Sequence, residues 1–308
     1  MPDVWLNGNF IDESAASVPL RDTGLLHAAG VFTTMRAYAG KVFRLQQHLE
    51  RLRRSCDALF VPLQYKDDVL TRAVSELLSR NAMSEARLRL TVTRGLARQD
   101  PLHGLRLEPN VFLTAAELEP YPEDFYRRGM TVVLIDEQKL NPYDAQAGHK
   151  TLNYFSRLNA LRDANQRGGG EALWFNVHNY LQSGSISNVF LVKDGALITP
   201  PTADELRDPK VAEGVPYPKA AVLPGVTRAA VLGLARSNGI EVRTTKVDVN
   251  ELLEADEVFL TNSIMQIMPV CRIERRAIAN DEPGPLTRRL AAALNDEIAA
   301  GTGKDSHE

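Results

Sequence analysis

The chain alternates between two hydrophobic periods, and this alternation restricts its fold more than any other sequence feature. Residues 87–95 read RLRLTVTRG. Polar side chains lie on one face of this segment and Leu or Val on the other, which is typical of a half-buried strand. From Leu45 the period changes, and apolar residues follow at spacings of four and three, as in an amphipathic helix. Strands and helices alternate in this way along the chain, so the sequence predicts a mixed α/β fold.

Turn dipeptides and apolar periods together predict the individual elements. Two early hairpins turn at Asn7-Gly8 and at Ala39-Gly40. Helices are expected from Leu45, near 66–80, and over 154–166, 225–239 and 286–299. Further strands are expected over 110–118, 131–136, 172–177, 188–200, 240–247 and 257–262.

The length of 308 residues favours about two domains, at about 150 residues each. The polar sequence EPYPE at 119–123 contains two prolines and predicts an extended linker. We therefore expect a smaller N-terminal domain over 1–118, a linker over 119–124, a larger domain over 125–300 and a flexible tail over 301–308. The proline-rich stretch 201–222 is long for a connection and predicts a surface or lid loop.

Composition excludes several classes of protein. The net charge of −3 gives no basic surplus for nucleic acid, and no apolar run reaches the roughly 18 residues of a membrane helix. The polar N-terminus does not resemble a signal peptide. Two cysteines, Cys56 and Cys271, cannot form a disulfide framework, so a reducing cytoplasm is expected. The six histidines show no metal-ligand spacing, and nucleotide-binding and GxSxG motifs are missing from the sequence.

Three positions could carry chemistry. Lys150, in AGHKTLNYF, stands before a predicted helix, where a lysine of lowered pKa could form a Schiff base. GVTR at 225–228 opens a helix whose free N–H groups could bind a phosphate. Arg51 could reach a phosphate from the first long helix. The alternatives are a solvated lysine, an ordinary helix cap and a solvated arginine.

Hydroxyl-rich clusters and paired arginines are weaker signals. SGSISN at 183–188 and TNS at 261–263 could line an anion site or could be turns. Arg87 and Arg89 share one face of a strand, which suits a substrate carboxylate but also occurs on ordinary surfaces.

Five segments in order resemble the class IV aminotransferases, which are fold-type IV pyridoxal-phosphate enzymes. This family includes branched-chain aminotransferases, D-amino-acid aminotransferases and aminodeoxychorismate lyases. The resemblance runs from about Trp5 to Arg276 and implies two α/β domains with the cofactor between them, and a homodimer. The segments are GVFTTMRAYAGKVFRLQQHLERL (30–52), HKTLNYF (149–155), SGSISNVFLVKDG (183–195), LPGVTR (223–228) and ADEVFLTNSIMQIMPV (255–270).

The resemblance implies a role for each matching residue. Lys150 corresponds to the lysine that carries pyridoxal 5'-phosphate as a Schiff base and later moves a proton. Phosphate binding is implied for a group of residues on separate segments: Arg51, Val226, Thr227, Ser263 and, with a weaker match, Asn262. Arg89 and Arg36 are the residues expected to bind the substrate.

Two departures from the family pattern stand out. Ser183 occupies the position where relatives have a glutamate that keeps the pyridine nitrogen protonated, and a hydroxyl cannot supply that negative charge. Glu213 in the long loop is an alternative acid for this nitrogen. HAAG at 27–30 replaces the aromatic-Gly-Asp-Gly that relatives tend to have.

The expected reaction is amino transfer between a small or branched-chain amino acid and a 2-oxo acid. Residues 30–45 favour the branched-chain type, whereas FTT (32–34), 141–153 and 262–270 favour the lyase, which eliminates pyruvate from 4-amino-4-deoxychorismate to give 4-aminobenzoate. Transfer from D-amino acids is a further alternative. A protein that holds the cofactor without turnover is the non-enzymatic alternative, and Ser183 is its motive.

Overall fold

A computed structural model of the chain describes residues 1–100, 104–278 and 280–303. The chain forms two compact units. Unit 1 comprises Met1–Glu119, His149–Asn153 and the chain from Glu297, and unit 2 comprises Pro120–Gly148 and Tyr154–Asp296. This division differs from the expected domains because the short segment around Lys150 and the end of the last helix belong to unit 1. Of the expected tail, 301–302 extend that helix, and 304–308 lie outside the described residues.

Unit 1 contains a six-stranded antiparallel sheet in the order β2-β1-β8-β5-β3-β4, and a separate β6-β7 pair. Its strands are β1 (Asp3–Leu6), β2 (Asn9–Asp12), β3 (Gly30–Tyr38), β4 (Lys41–Val42), β5 (Ala86–Thr93), β6 (Leu96–Asp100), β7 (Gly104–Glu108) and β8 (Val111–Glu117). Its helices are α1 (Thr23–His27), α2 (Leu45–Ala58) and α3 (Asp67–Arg80).

The core of unit 1 confirms both predicted periods. Leu88, Leu90 and Val92 alternate along β5 and are all buried. They belong to one apolar cluster with the buried stripe of α2 and with α3. Burial of this stripe stabilises α2, because helices in proteins depend more on packing of one face than on intrinsic propensity.

Unit 2 is built on a mixed sheet of nine strands in the order β11-β10-β9-β16-β15-β12-β13-β14, with β17 beside β16. Its strands are β9 (Met130–Leu140), β10 (Glu171–Asn176), β11 (Leu181–Gly184), β12 (Asn188–Lys193), β13 (Ala196–Thr199), β14 (Val242–Thr244), β15 (Glu257–Asn262), β16 (Gln266–Ile273) and β17 (Arg276–Ala277). Its helices are α4 (Glu123–Arg128), α5 (Phe155–Gln166), α6 (Pro209–Glu213), α7 (Val226–Ser237), α8 (Val249–Leu253) and α9 (Pro285–Thr302), whose last residues join unit 1.

The expected linker is shorter in the structure. Helix α4 begins at Glu123, inside the stretch that we expected to be extended. Acidic residues in its first turn and basic residues in its last turn complement the helix dipole, which explains why a short polar segment is helical here.

The proline-rich stretch 201–222 is attached to the rest of unit 2 at several points. Thr202 pairs with Val222, which brings the two ends of the stretch together. Arg228 of α7 is buried and donates two hydrogen bonds to the Glu205 carboxylate, at 2.9 and 2.8 Å. Burial acts to raise the pKa of Glu205, but the hydrogen bonds and charge of Arg228 outweigh burial and lower it. This ion pair fixes the stretch to the first turns of α7.

Two properties of the described residues limit the kinds of site that they can form. Their helices do not combine the length and apolar composition needed to cross a membrane. The described ranges also contain no cluster of three or more His, Cys, Asp or Glu side chains that could hold a metal ion.

Candidate active site

Lys150 is held in unit 1 by backbone pairing with β3. Its carbonyl accepts a hydrogen bond from the Phe32 N–H at 2.9 Å, and the Leu152 N–H donates to the Gly30 carbonyl at 3.0 Å. A Cβ atom at Gly30 would lie 2.7 Å from the Leu152 side chain and 2.6 Å from a backbone oxygen of β5. Glycine at this position therefore allows the segment to lie against the sheet.

One aromatic ring brings Lys150 and Arg89 close together. The Arg89 guanidinium lies 3.5 Å from the centroid of the Phe32 ring, and Lys150 Nζ lies 4.6 Å from the same centroid. Phe32 is buried. Contacts between cations and the face of an aromatic ring are attractive because the ring quadrupole is negative there. An amine and a guanidinium, the two groups predicted to bind cofactor and substrate, thus contact one side chain.

Arg51 is buried beside β3 and takes part in a short chain of hydrogen bonds. Its Nη2 donates to Thr33 Oγ1 at 3.0 Å, and Thr33 Oγ1 lies 2.9 Å from His48 Nδ1. Burial lowers the pKa of His48 well below its usual value, and the positive charges of Arg51 and Lys150 lower it further. Arg51 is therefore an oriented, buried cation rather than a solvated charge on the surface of a helix.

Arg36 lies on the same face of the sheet as Phe32 and Arg89, because alternate and directly paired residues point to one side. Its guanidinium lies 4.4 Å from the centroid of the Tyr38 ring and pairs with Glu85 at 3.3 Å. Glu85 already compensates part of its charge, and a substrate-binding role for Arg36 remains a prediction.

In unit 2, Ser183 lies on β11 directly opposite Trp174. Its side chain is 4% exposed, and its Oγ has no hydrogen-bond partner among the residues that the structure describes. Buried polar atoms nearly always have a partner, so an unpaired one indicates a missing group. Glu213, the alternative acid, is exposed at the end of α6.

The residues after Ser183 form a turn, 184–187, whose amide side is occupied by the buried carboxylate of Glu171. The N–H groups of Ser185 and Ile186 donate to Glu171 at 3.0 and 3.2 Å, and Ser187 Oγ donates at 2.9 Å. Burial raises the pKa of Glu171, although these hydrogen bonds act to lower it. A carboxylate surrounded by donors fixes the turn that carries Ser183.

The carbonyl side of the same turn is occupied by Arg157 of α5. Arg157 Nη1 donates to the carbonyls of Gly184 and Ser185, both at 3.0 Å. Trp174 Nε1 donates to Ser185 Oγ at 2.8 Å. With its amides on an anion and its carbonyls on a cation, the turn is held in one conformation.

The segment that begins at Ser183 also contacts both parts of the predicted phosphate site in unit 2. Asn262, at the end of β15, donates to the Ile186 carbonyl at 3.3 Å. Asn188 donates to the Leu223 carbonyl at 3.0 Å, just before α7. Asn262 Oδ1 also accepts two backbone hydrogen bonds from the residues that follow Ser263. Asn262 thus has a connecting role in the structure, and Ser263 lies in the turn that Asn262 holds.

Helix α7 begins with an N-cap, Gly225, that has no side chain to bond the first N–H groups. The following residues, Val226 and Thr227, are buried. An uncapped N-terminus of a twelve-residue helix has unpaired N–H groups and a partial positive charge, which suits a phosphate. A Cβ at Gly225 would lie 2.0 Å from Asn188 Oδ1, so the cap must be glycine for Asn188 to lie there.

Sequence reasoning did not identify Glu171, Arg157, His48, Thr33 or Asn188 as parts of the site. Each acts through a hydrogen bond to a residue distant in sequence, and none lies in a motif with recognisable spacing. The only sequence signal was Glu171 itself, a lone acid at the start of the apolar segment EALWF.

The family comparison agrees with this arrangement. The model of the family described as "Amino-transferase class IV" matches residues 30–273, which is most of the chain. The chain belongs to the class IV aminotransferase family.

Several proteins resemble this class IV aminotransferase over nearly its whole length. A putative branched-chain-amino-acid aminotransferase of Methanocaldococcus jannaschii is 32% identical and covers 95% of both chains. A D-alanine aminotransferase of Bacillus licheniformis is 28% identical, with coverage of 98% of this chain and 99% of the relative.

Solved structures confirm the predicted fold-type IV architecture. The Escherichia coli branched-chain aminotransferase superposes with a TM-score of 0.85 at 26% identity, with coverage of 99% and 97% of the two chains. A putative 4-amino-4-deoxychorismate lyase of Legionella pneumophila, at 21% identity and a TM-score of 0.78 over 93% and 97% of the chains, shares the fold.

The residues of this class IV aminotransferase fit the cofactor of its family. The family and its structural neighbours bind pyridoxal phosphate. The buried, unpaired Ser183 hydroxyl is suited to a ring nitrogen, and the uncapped start of α7 is suited to a phosphate.

We predict that Glu171→Gln destabilises the protein by about 1–3 kcal/mol, the cost of an unsatisfied buried donor. The amide NH₂ of glutamine would face an N–H of the 184–187 turn that now donates to a carboxylate oxygen. Urea unfolding would measure this loss. Glu213→Gln, the same change at an exposed site, should shift stability by less than about 0.5 kcal/mol. Equal effects of the two substitutions would contradict the assigned role of Glu171.

Proposed function

We propose that this protein transfers an amino group between a small or branched-chain amino acid and a 2-oxo acid, with pyridoxal phosphate as cofactor. The observation that carries this proposal is the meeting of Lys150 and Arg89 on the Phe32 ring, at 4.6 and 3.5 Å from its centroid. A group that can bind a carbonyl carbon and a group that can bind a carboxylate are then held at one place. The similarity to a putative branched-chain aminotransferase supports the choice of substrate.

The cofactor would be held by residues of both units. Arg51, the N–H groups of Val226 and Thr227, and Ser263 would bind its phosphate, with Asn262 holding the turn of Ser263. Lys150 would bind it covalently, and Ser183 would face the ring nitrogen. When bound, pyridoxal phosphate supplies a reactive carbonyl carbon and an electron-withdrawing ring that stabilises negative charge at the substrate α-carbon.

Lys150 would act as the proton carrier at the α-carbon. Its backbone is paired with β3 on both sides, so its side chain starts from a fixed point. A fixed starting point limits the positions that Nζ can reach, and this restriction favours proton transfer at one atom.

Arg89, with Arg36 further along the same face, would orient the substrate by its carboxylate. A guanidinium binds a carboxylate through two parallel N–H···O hydrogen bonds, which fixes orientation as well as position. Arg89 donates from Nε to Thr91 Oγ1 at 3.2 Å, and this bond limits rotation of the guanidinium on the ring of Phe32.

Elimination of the lyase type is the second candidate, and Ser183 favours it. A neutral hydroxyl cannot compensate a protonated ring nitrogen, so the ring would accept electrons less strongly than in relatives with a glutamate. Amino transfer depends on this acceptance more than an elimination that is driven by formation of an aromatic product. Transfer from D-amino acids is supported by the similarity to the Bacillus licheniformis enzyme. A cofactor-holding protein without turnover is the remaining alternative.

We also propose a homodimer, as in other members of the family. Three leucines around α1 in unit 1 are strongly exposed: Leu20, Leu25 and Leu26, at 81%, 62% and 57%. Clustered apolar exposure of this kind is typical of an interaction surface. Sedimentation equilibrium would test the proposal, and a monomer at micromolar concentration would contradict it.

A panel of amino donors and 2-oxo acids, followed by the absorbance of the bound cofactor, tests the proposed reaction. We expect L-branched-chain donors to convert the cofactor to its amine form and 2-oxo acids to reverse the change. Conversion by D-alanine alone would favour the D-specific alternative. Release of pyruvate from 4-amino-4-deoxychorismate without amino transfer would replace the proposal with the lyase. A spectrum that no donor alters would indicate a protein without turnover.

We predict that Ser183→Glu raises the rate of amino transfer, because a carboxylate would supply the negative charge that a protonated ring nitrogen requires. Ser183→Gln is the matched control, since it has the same size without the charge, and it should give no gain. Nitrogen NMR on labelled cofactor would report the protonation state directly. A protonated ring nitrogen in the natural protein, with no gain for Ser183→Glu, would show that this interpretation of Ser183 is wrong.

A further inference from the structure

Three buried side chains of unit 1 form the Arg51–Thr33–His48 chain. Arg51 Nη2 donates to Thr33 Oγ1 at 3.0 Å, and Thr33 Oγ1 lies 2.9 Å from His48 Nδ1. Their exposed fractions are 9%, 0% and 2%. None of the residue roles derived above uses His48, although it is a titratable side chain that lies next to a predicted phosphate ligand.

The direction of the hydrogen bonds follows from the chemistry of the groups. A guanidinium has donors and no acceptor, so Thr33 Oγ1 must accept from Arg51. In the described part of the chain Thr33 Oγ1 has these two partners, so its own proton satisfies a hydrogen bond only when it points at His48 Nδ1. Nδ1 is then an acceptor, and the imidazole is neutral with its proton on Nε2.

The charges around His48 agree with a neutral imidazole. Burial lowers its pKa, and the positive charges of Arg51 and Lys150 lower it further. A third positive charge in this buried place would repel the two cations that the cofactor requires. A neutral acceptor holds the Thr33 hydroxyl without that repulsion.

We propose that His48 is a positioning residue for the cofactor phosphate: its neutral imidazole orients the Thr33 hydroxyl, and Thr33 in turn aims the guanidinium of Arg51. This inference rests on the proposed function, in which Arg51 binds the phosphate. An arginine side chain has many rotamers, and a fixed acceptor for one of its N–H groups reduces the entropy that binding would otherwise cost. Thr33 can be such an acceptor only while His48 takes its proton.

The decisive experiment compares pyridoxal phosphate with pyridoxal, which has no phosphate, in titrations of the cofactor-free protein. His48→Leu removes the acceptor, and we expect it to weaken pyridoxal phosphate by roughly 2- to 13-fold, the contribution of one hydrogen bond. Binding of pyridoxal should stay unchanged. A general structural defect would weaken both compounds, so equal losses would overturn the proposal, as would unchanged binding of pyridoxal phosphate.

Conservative variants provide the matched controls. Asparagine has an acceptor near the place of Nδ1, so His48→Asn should restore most of the affinity. Thr33→Val removes the hydroxyl at nearly constant shape and should repeat the loss, whereas Thr33→Ser should not. Thr33→Val also tests the proposal if His48→Leu fails to fold. Failure of the asparagine rescue together with unchanged binding by Thr33→Val would overturn the assignment.

Two further measurements separate this inference from the proposed function. Nitrogen NMR of protein labelled at histidine should show His48 protonated on Nε2 and not on Nδ1, and a protonated Nδ1 would overturn the proposal. Arg51→Ala should weaken pyridoxal phosphate by at least as much as His48→Leu. If Arg51→Ala binds normally, the phosphate role of Arg51 fails and the inference fails with it. If only the Arg51 variant weakens binding, the inference alone fails.

Discussion

The pairing of residues 150–152 with the start of β3 is the interaction on which the proposed chemistry depends. Two backbone hydrogen bonds, Phe32 N–H to Lys150 and Leu152 N–H to Gly30, make a short additional strand from a segment whose neighbours on both sides belong to unit 2. Backbone hydrogen bonds do not depend on side-chain rotamers, so the lysine has a fixed origin. The same strand supplies Phe32, and Thr33 follows it. One end of β3 therefore determines the positions of the amine, the aromatic ring and the partner of Arg51.

Unit 2 uses a different principle, in which buried charges hold a turn. The 184–187 turn has Glu171 on its amide side and Arg157 on its carbonyl side. A buried carboxylate is costly unless donors surround it, and Glu171 has backbone and hydroxyl donors at both oxygens. The cost of burying this charge is offset by a turn of defined conformation. The turn leaves the hydroxyl of Ser183 without a partner, which gives unit 2 a specific place for a polar group.

The sequence was sufficient for elements whose signal is local. The alternation in β5 and the stripe of α2 were predictable because each depends on its own residues facing one apolar core. Motif order was sufficient for the family and for Lys150. The membership of Lys150 in unit 1 was not predictable, since its partners, Gly30 and Phe32, are far away in the sequence. Glu171 and His48 were missed for a similar reason. A lone buried acid and a helix histidine have no distinguishing pattern until their distant partners are known.

The central claim is that Lys150 is the residue that binds pyridoxal phosphate covalently. Borohydride reduction of the protein loaded with cofactor converts the lysine–cofactor bond into a stable one, and peptide mapping then identifies the labelled residue. The structure and the family together predict a single label on Lys150, with loss of the label and of the yellow absorbance in Lys150→Ala. A label on Lys139 or Lys219 in place of Lys150 would contradict the account.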